Sequence, residues 1–235
     1  MEDFWFIPPS DFLSTMVSSD KEELMSYASL THFKKGECIF QAGDPGKNVY
    51  ILEDGRAKIC QLSADGKEMI LWFCLPGEMF GLAEVPRESI REVFAQVCTD
   101  SDVYSISRKT FNNFLKHHPD TAMQVIDLLS CRLRVLGHML LNLASDDATS
   151  RIIKLILRLS ARRGKHSGDN VCLDIPLTHQ EIAEMVGTSR QTVTSVLGDL
   201  RRQGVLNVIR HRIHIQDKEK LNKMIDDIVS SGVDI

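Results

Sequence analysis

Residues 178–203 read THQEIAEMVGTSRQTVTSVLGDLRRQ, a stretch that leaves the chain little choice of local fold. Thr178 is a side chain of the N-capping type, and Glu181 three residues on can complete a capping box. Ile182, Ala183 and Val186 give that helix an apolar face. Gly187 then ends it where a tight turn needs a residue without Cβ strain. Ser189 caps a second helix, in which Val193, Val196, Leu197 and Leu200 fall on one side and Gly204 follows as the C′ residue. The opposite side, at the helix start, carries Arg190, Gln191, Thr194 and Ser195. Two short helices joined in this way form a helix-turn-helix. These four residue types reach base edges when the second helix lies in a DNA major groove.

The net charge of −4 argues against such a role until it is divided along the chain. Between residues 146 and 216 there are 11 Lys and Arg against 7 Asp and Glu, whereas the rest holds 17 against 25. A basic carboxy-terminal unit on an acidic body suits a sensor joined to a nucleic-acid reader. With 235 residues, 43% hydrophobic and 26% charged, the chain can bury a sizeable core. No apolar run approaches membrane-spanning length, and MEDFWFIPPS lacks the basic start and long apolar stretch of a secretion signal. A cytoplasmic protein without membrane contact is expected. The cysteines Cys38, Cys60, Cys74, Cys98, Cys131 and Cys172 form no C-x-x-C pair and no metal-ligand spacing. Reduced core thiols are expected, with a disulfide redox switch left open. Nothing supplies a nucleophile beside a base, a phosphate-cradling glycine loop or a metal set, so no enzyme activity is expected.

Residues 33–107 alternate β-branched and aromatic runs with glycine turns. FKKGECIFQ, NVYILED, AKICQLS, KEMILWFC, EVFAQVC and DVYSIS read as strands of a β jelly-roll or barrel. Residues 11–31 read as helical. From Asp120 the pattern changes to one long helix, in which Ile126, Leu129, Leu133, Leu136, Leu140 and Leu143 recur at spacings of 3, 4, 3, 4 and 3. That seam marks a two-stranded coiled coil, hence a homodimer interface. Leu128, Val135 and Leu141 widen it toward the helix's own barrel. Ala144-Ser145-Asp146-Asp147 is the expected hinge. A helix over 148–163 follows, with Ile152, Ile153, Leu155, Ile156 and Leu159 inward, and GKHSGDN makes a polar loop. VLNVIRHRIHIQ reads as a hairpin turning at Arg210-His211, the wing of a winged helix. Its Arg210, His211 and Arg212 suit backbone phosphates, and an amphipathic tail helix runs through Leu221, Met224, Ile225 and Ile228.

On KKGECIFQAGDPGKNVYILEDGRAKI, LPGEMFG, the leucine helix and TSRQTVTSVLGDLRRQGVL, the chain resembles the cyclic-AMP receptor protein/FNR (Crp/Fnr) family of bacterial transcription regulators over about residues 25–216. The resemblance implies an α+β chain in three parts. An N-terminal effector-sensing barrel with flanking helices spans 1–119, a dimerisation helix and hinge spans 120–145, and a winged helix-turn-helix domain with a tail helix spans 146–235. It implies a homodimer on a palindromic operator in double-stranded DNA, with a small-molecule effector in the barrel. Arg190, Gln191, Thr194 and Ser195 match the family's base-reading positions, although Ser195 stands where arginine is common. Thr192, Ser189, Thr178, Arg210 and Arg212 complete the DNA-binding set. RNA polymerase contacts are implied for the loop at 162–169 and the barrel turn Ser63–Lys67. Neither tells activator from repressor.

The cyclic-nucleotide cassette of the family departs here. Where it has Gly-Glu and Arg-Ser, this chain has Gly81-Leu82 and Arg91-Glu92, and the adenine-facing helix positions are Leu136 and Gly137. Loss of the ribose carboxylate and of the phosphate serine disfavours cyclic AMP. Three alternatives stay open for the signal. A small anion could sit between Arg91, Arg132 and the backbone N–H groups of Phe80, Gly81 and Leu82, unless Arg91 is spent on Glu92 or Glu84. Haem could bind, with His138 or cysteines as ligands. The cysteines could instead act as a redox switch.

Overall fold

The computed structural model describes residues 12–87, 89–167 and 170–231, so expectations for residues 1–11, Gly168, Asp169 and 232–235 lie outside the described residues. The chain divides into two compact units, one ending at Leu133 and one starting at Arg134.

In the first unit the strands are β1 (Ser29–Phe33), β2 (Cys38–Phe40), β3 (Asn48–Asp54), β4 (Ala57–Leu62), β5 (Glu68–Cys74), β6 (Met79–Phe80), β7 (Phe94–Val97) and β8 (Ser101–Ser107). They form antiparallel sheets ordered β1-β8-β3-β6 and β2-β7-β4-β5. The two-residue period of a strand sorts the side chains of β3 to opposite faces. Leu52 joins Phe40, Ile59, Phe80, Val97 and Val103 in a core shared by both sheets. Val49 and Ile51 face the other way, under a helical layer that supplies Leu24, Phe111, Phe114, Val125 and Leu128. Those helices are α1 (Phe12–Thr15), α2 (Ser18–Ser26), α3 (Arg108–His117) and α4 (Pro119–Ser145). The Asp54-Gly55 turn requires glycine. Its φ is +94°, and an added Cβ would fall 2.1 Å from Ser101 Oγ.

Two expectations fail in this unit. Residues 11–31 are not helical throughout, because SLTHF forms β1 and pairs from Ser29↔Ser105 to Phe33↔Ser101. That strand is exposed along most of its length, so it carries no alternating apolar signal and owes its conformation to the ladder with β8. Leu141, expected to broaden the inward stripe of α4, is 62% exposed. The stripe packed in the barrel core instead holds Val125 and Leu128, while Cys131 and Met139 are buried elsewhere along α4. Val135 and Leu136 are half-buried, whereas Ile126, Leu129, Leu133, Leu140 and Leu143 of the seam are exposed, Leu133 at 72%.

In the second unit α5 (Ala148–Arg163) buries Ile152, Ile153, Leu155, Ile156 and Leu159, as their spacing demands. Helices α6 (His179–Val186) and α7 (Arg190–Arg202) follow, then α8 (Lys218–Ser231), whose buried Leu221 belongs to the face packed on α5. Strands β9 (Gly164–Ser167), β10 (Asn170–Leu173), β11 (Leu206–Ile209) and β12 (Arg212–Ile215) make a sheet ordered β11-β12-β10-β9. The expected loop at 164–170 is therefore largely β-structure. Its polar residues are recruited by β10, which is itself held by β12 through Val171↔Ile215. The expected hinge is also narrower, since Ala144 and Ser145 are helical and Asp146 and Asp147 alone separate α4 from α5. Even these are tethered: Asp146 pairs with Lys154 at 2.8 Å, and its carbonyl accepts from Arg151 at 2.7 Å.

Asp147 caps α5, its Oδ1 accepting from the Ser150 N–H at 2.7 Å and from Ser150 Oγ at 2.6 Å. These bonds hold its carboxyl below the usual range. The substitution Asp147→Ala is expected to destabilise the second unit by about 1 kcal/mol. Because the folded-state value is depressed, that contribution is present above the unfolded carboxylate pKa and is lost as pH falls through the folded one. Thermal melts of both proteins at neutral and strongly acidic pH should show the difference shrinking in acid.

Candidate functional site

The helix-turn-helix is set by hydrogen bonds that its own polar residues make. Thr178 Oγ1 accepts from the Glu181 N–H at 3.1 Å, and Glu181 Oε2 accepts from the Thr178 N–H at 2.8 Å, which completes the capping box of α6. Gly187 ends that helix at φ +64°, and Thr188 N–H closes the turn on the Ala183 carbonyl at 3.0 Å. Ser189 Oγ accepts from the Thr192 N–H at 3.1 Å and starts α7. Val193, Val196, Leu197 and Leu200 are buried, which turns Arg190, Gln191, Thr194 and Ser195 outward, all exposed. The structure thus brings these four together on the first turns of one helix.

The wing forms where expected. Arg210 and His211 adopt φ of 49° and 63°, the left-handed pair that a two-residue hairpin turn requires. Arg210 and His211 are exposed at the tip, while Arg212 donates to Asp174 at 2.7 Å and shares that carboxylate with Lys165. Lys165 and Arg212 together hold the Asp174 carboxyl below its usual range.

Two contacts here escaped the sequence reading. Arg151, on α5, donates through Nε to the Val186 carbonyl at 2.8 Å, so it clamps the last turn of α6 from outside. His179, the first residue of α6, places Nδ1 2.8 Å from Thr194 Oγ1 on α7. An arginine on an amphipathic helix and a histidine beside a cap carry no local signature of such partners.

In the barrel, Arg91 is almost wholly buried and makes an ion pair with Glu84, itself buried. Its guanidinium also donates to the carbonyls of Asn48 and of Gly81, the latter at 3.1 Å. It lies 4.3 Å over the Phe40 ring, beside a stack in which Tyr50 is 5.5 Å from Phe40 and 5.4 Å from Phe80. Arg132 donates to the Met79 carbonyl and sits 5.0 Å over Trp72. Of the residues expected around an anion, Arg91 and Gly81 meet, and of the two carboxylates weighed for Arg91 it is Glu84 that pairs with it. Arg132 reaches the carbonyl beside Phe80, and the side chains of Phe80 and Leu82 lie in the core. A carboxylate a few residues from Gly81 reaches Arg91 without any loss of freedom of a separate molecule. Glu92 is exposed.

The alternative sensor residues differ in burial. His138 is exposed on α4. Cys60, Cys74 and Cys131 are buried, and Cys38, Cys98 and Cys172 are half-buried. Burial, aided by Glu68, pushes the Cys60 thiol up to about 12.

Residues 30–118 match the family model for the cyclic nucleotide-binding domain, and residues 150–224 match the Crp-like helix-turn-helix domain. A CRP-like cAMP-activated global transcriptional regulator of Mycobacterium tuberculosis is 31% identical over 189 residues, spanning 80% of this chain and 84% of the relative. A global nitrogen regulator of Synechocystis is 30% identical over 193 residues, spanning 81% of this chain and 86% of the relative. A solved CooA mutant from Carboxydothermus hydrogenoformans shares the fold with a TM-score of 0.81 at 20% identity, covering 94% of this chain and 98% of its own. Among the described residues no helix is long and apolar enough to cross a membrane. With both domains matched in order and the capped helix-turn-helix formed, the chain belongs to the Crp/Fnr family of DNA-binding transcription regulators.

Proposed function

We propose that the chain acts as a homodimer in which two copies of α7 read a palindromic operator, under control of an effector other than cyclic AMP. The observation that carries this reading is the exposed quartet Arg190, Gln191, Thr194 and Ser195 on α7, backed by a fully buried opposite face. Arg190 suits guanine O6 and N7, and Gln191 suits adenine N6 and N7, each pair worth about 1–3 kcal/mol of discrimination. The Thr194 hydroxyl is already committed to the Arg190 carbonyl and to His179, so Thr194 offers a thymine its methyl group. Ser189, Thr178 and Thr192 stand at the helix starts, and Arg210 and Arg212 in the wing; we assign these to phosphates. The exposed leucines of α4 are assigned to the second copy, which sets the two helices about 34 Å apart on one face of the duplex. The turn Ser63–Lys67, where Lys67 and Ser63 hold the Asp65 carboxyl down to about 2, is assigned to RNA polymerase contact.

The Mycobacterium tuberculosis relative is named for activation by cAMP. Here the position of the ribose carboxylate is Leu82, buried in the core under the helices, and Arg91 is held by Glu84. Both support a different signal. Whether the regulator activates or represses depends on operator position.

Selection of binding sites from random DNA tests the base contacts. Arg190→Ala is expected to lose the wild-type motif while staying dimeric, and recovery of the same motif would overturn the assignment. Sedimentation equilibrium tests the seam: Leu133→Asp with Leu140→Asp should shift the protein to monomer, and an unchanged dimer places the interface elsewhere. Glu84→Ala leaves Arg91 buried without its carboxylate and should destabilise the barrel by about 3–5 kcal/mol in urea unfolding.

A further inference from the structure

His179 joins the two helices of the DNA-reading unit through one hydrogen bond, and that bond decides which nitrogen a charged ring has to spare. The Thr194 hydroxyl has a single proton and two neighbours, the Arg190 carbonyl at 2.9 Å and His179 Nδ1 at 2.8 Å. With that proton on the Arg190 carbonyl it accepts from Nδ1–H, and a charged ring, in which both nitrogens donate, allows no other arrangement. Nδ1 is then taken up by Thr194, and Nε2 is the nitrogen left for a further acceptor. The groups acting on the half-buried ring are Arg190 of α7 and His211 of the wing turn, which Leu177 N–H ties down by donating to the His211 carbonyl at 2.8 Å. The carboxylates on its own helix are engaged elsewhere. Glu181 is in the capping box, and Glu184 accepts from Gln180 at 2.7 Å. Burial, then Arg190 and His211, holds the imidazole below its ordinary value, so the free protein keeps it neutral near pH 7. A neutral ring among cations is a site whose charging an incoming anion would permit.

We infer that His179 Nε2 is a proton-linked contact to a DNA backbone phosphate. The phosphate approaches beside Arg190, the ring takes one proton from solvent onto Nε2, and the new N–H donates to a phosphate oxygen. Nδ1–H meanwhile keeps Thr194, and with it the orientation of α7, in place. The inference rests on the assignment of α7 to DNA. Because the complex binds one proton more than the separate partners, affinity rises as pH falls across the interval bracketing the ordinary imidazole value of about 6.5, by at most tenfold per pH unit. Above that interval the gain is lost.

The experiment is fluorescence anisotropy of the full-length protein on an operator obtained by selection from random DNA, repeated across pH at fixed salt. His179→Asn is the informative variant. Its amide N–H can replace Nδ1–H toward Thr194, but it has no titrating nitrogen. It should bind within about threefold of wild type at high pH and show no pH slope. His179→Ala, which loses both functions, should bind more weakly at every pH. His211→Asn should keep the wild-type slope. In nitrogen-15 spectra, His179 should be the Nδ1–H tautomer when free and doubly protonated in the complex at pH 7. A wild-type slope retained in His179→Asn, or a slope that disappears in His211→Asn instead, overturns the inference. Operator binding with a flat wild-type profile overturns the proton linkage alone, whereas no binding to any selected operator overturns the DNA assignment beneath it.

Discussion

A helix of 27 residues with apolar side chains on two faces cannot satisfy both against one small barrel. At about 1.5 Å per residue, α4 is roughly 40 Å long. Val125 and Leu128 enter the core beneath β3 and β8, and this fixes the rotation of the helix about its own axis. Once that face is spent, the heptad leucines must point outward, and each costs about 1.5–3 kcal/mol if left in water. The homodimer proposed above supplies a cover for that stripe. The proposed assembly thus follows from the same packing that closes the barrel.

What could be read from the chain alone divides along a physical line. Elements whose cause is local were legible: the capping box at Thr178, the left-handed turn at Gly187, the buried face of α5, and the reversal at Arg210-His211 between two β-branched runs. Elements whose cause is a distant partner were not. β1 is polar and exposed and becomes a strand only on β8, and the segment from Gly164 becomes one only on β10. The same division holds within the functional site. The outward face of α7 follows from its own period, but the clamp of Arg151 on the Val186 carbonyl and the reach of His179 to Thr194 cross from one helix to another. In the barrel, residue types alone left Arg91 open to an anion, Glu92 or Glu84. Burial of Glu84 beside it decided between the two carboxylates.

The polar residues of the helix-turn-helix carry two loads. Thr178 and Ser189 spend an acceptor on a helix N-terminus, and Thr194 spends both its proton and a lone pair within the protein. Such commitments fix rotamers before DNA arrives and reduce the ordering that binding must supply. Within the base contacts proposed above, they leave Arg190 and Gln191 with the larger share of hydrogen-bonded discrimination. The basic residues of the unit act at longer range, drawing the carboxy-terminal unit toward phosphates through a field that salt screens.

The Glu84 carboxylate is, in effect, a ligand that never dissociates. Tethered within a few residues of Gly81, on a stem whose Cβ and Cγ lie 2.6 Å from where a Cβ on Gly46 would fall, it meets Arg91 at an effective concentration of millimolar or more. Any soluble anion competing for the same guanidinium has its apparent affinity divided by the small fraction of molecules in which the pair is open. On the regulatory role proposed above, such wiring disfavours trace anionic messengers. It favours compounds that are abundant, or that bind through contacts other than charge, and places the threshold in the chain itself.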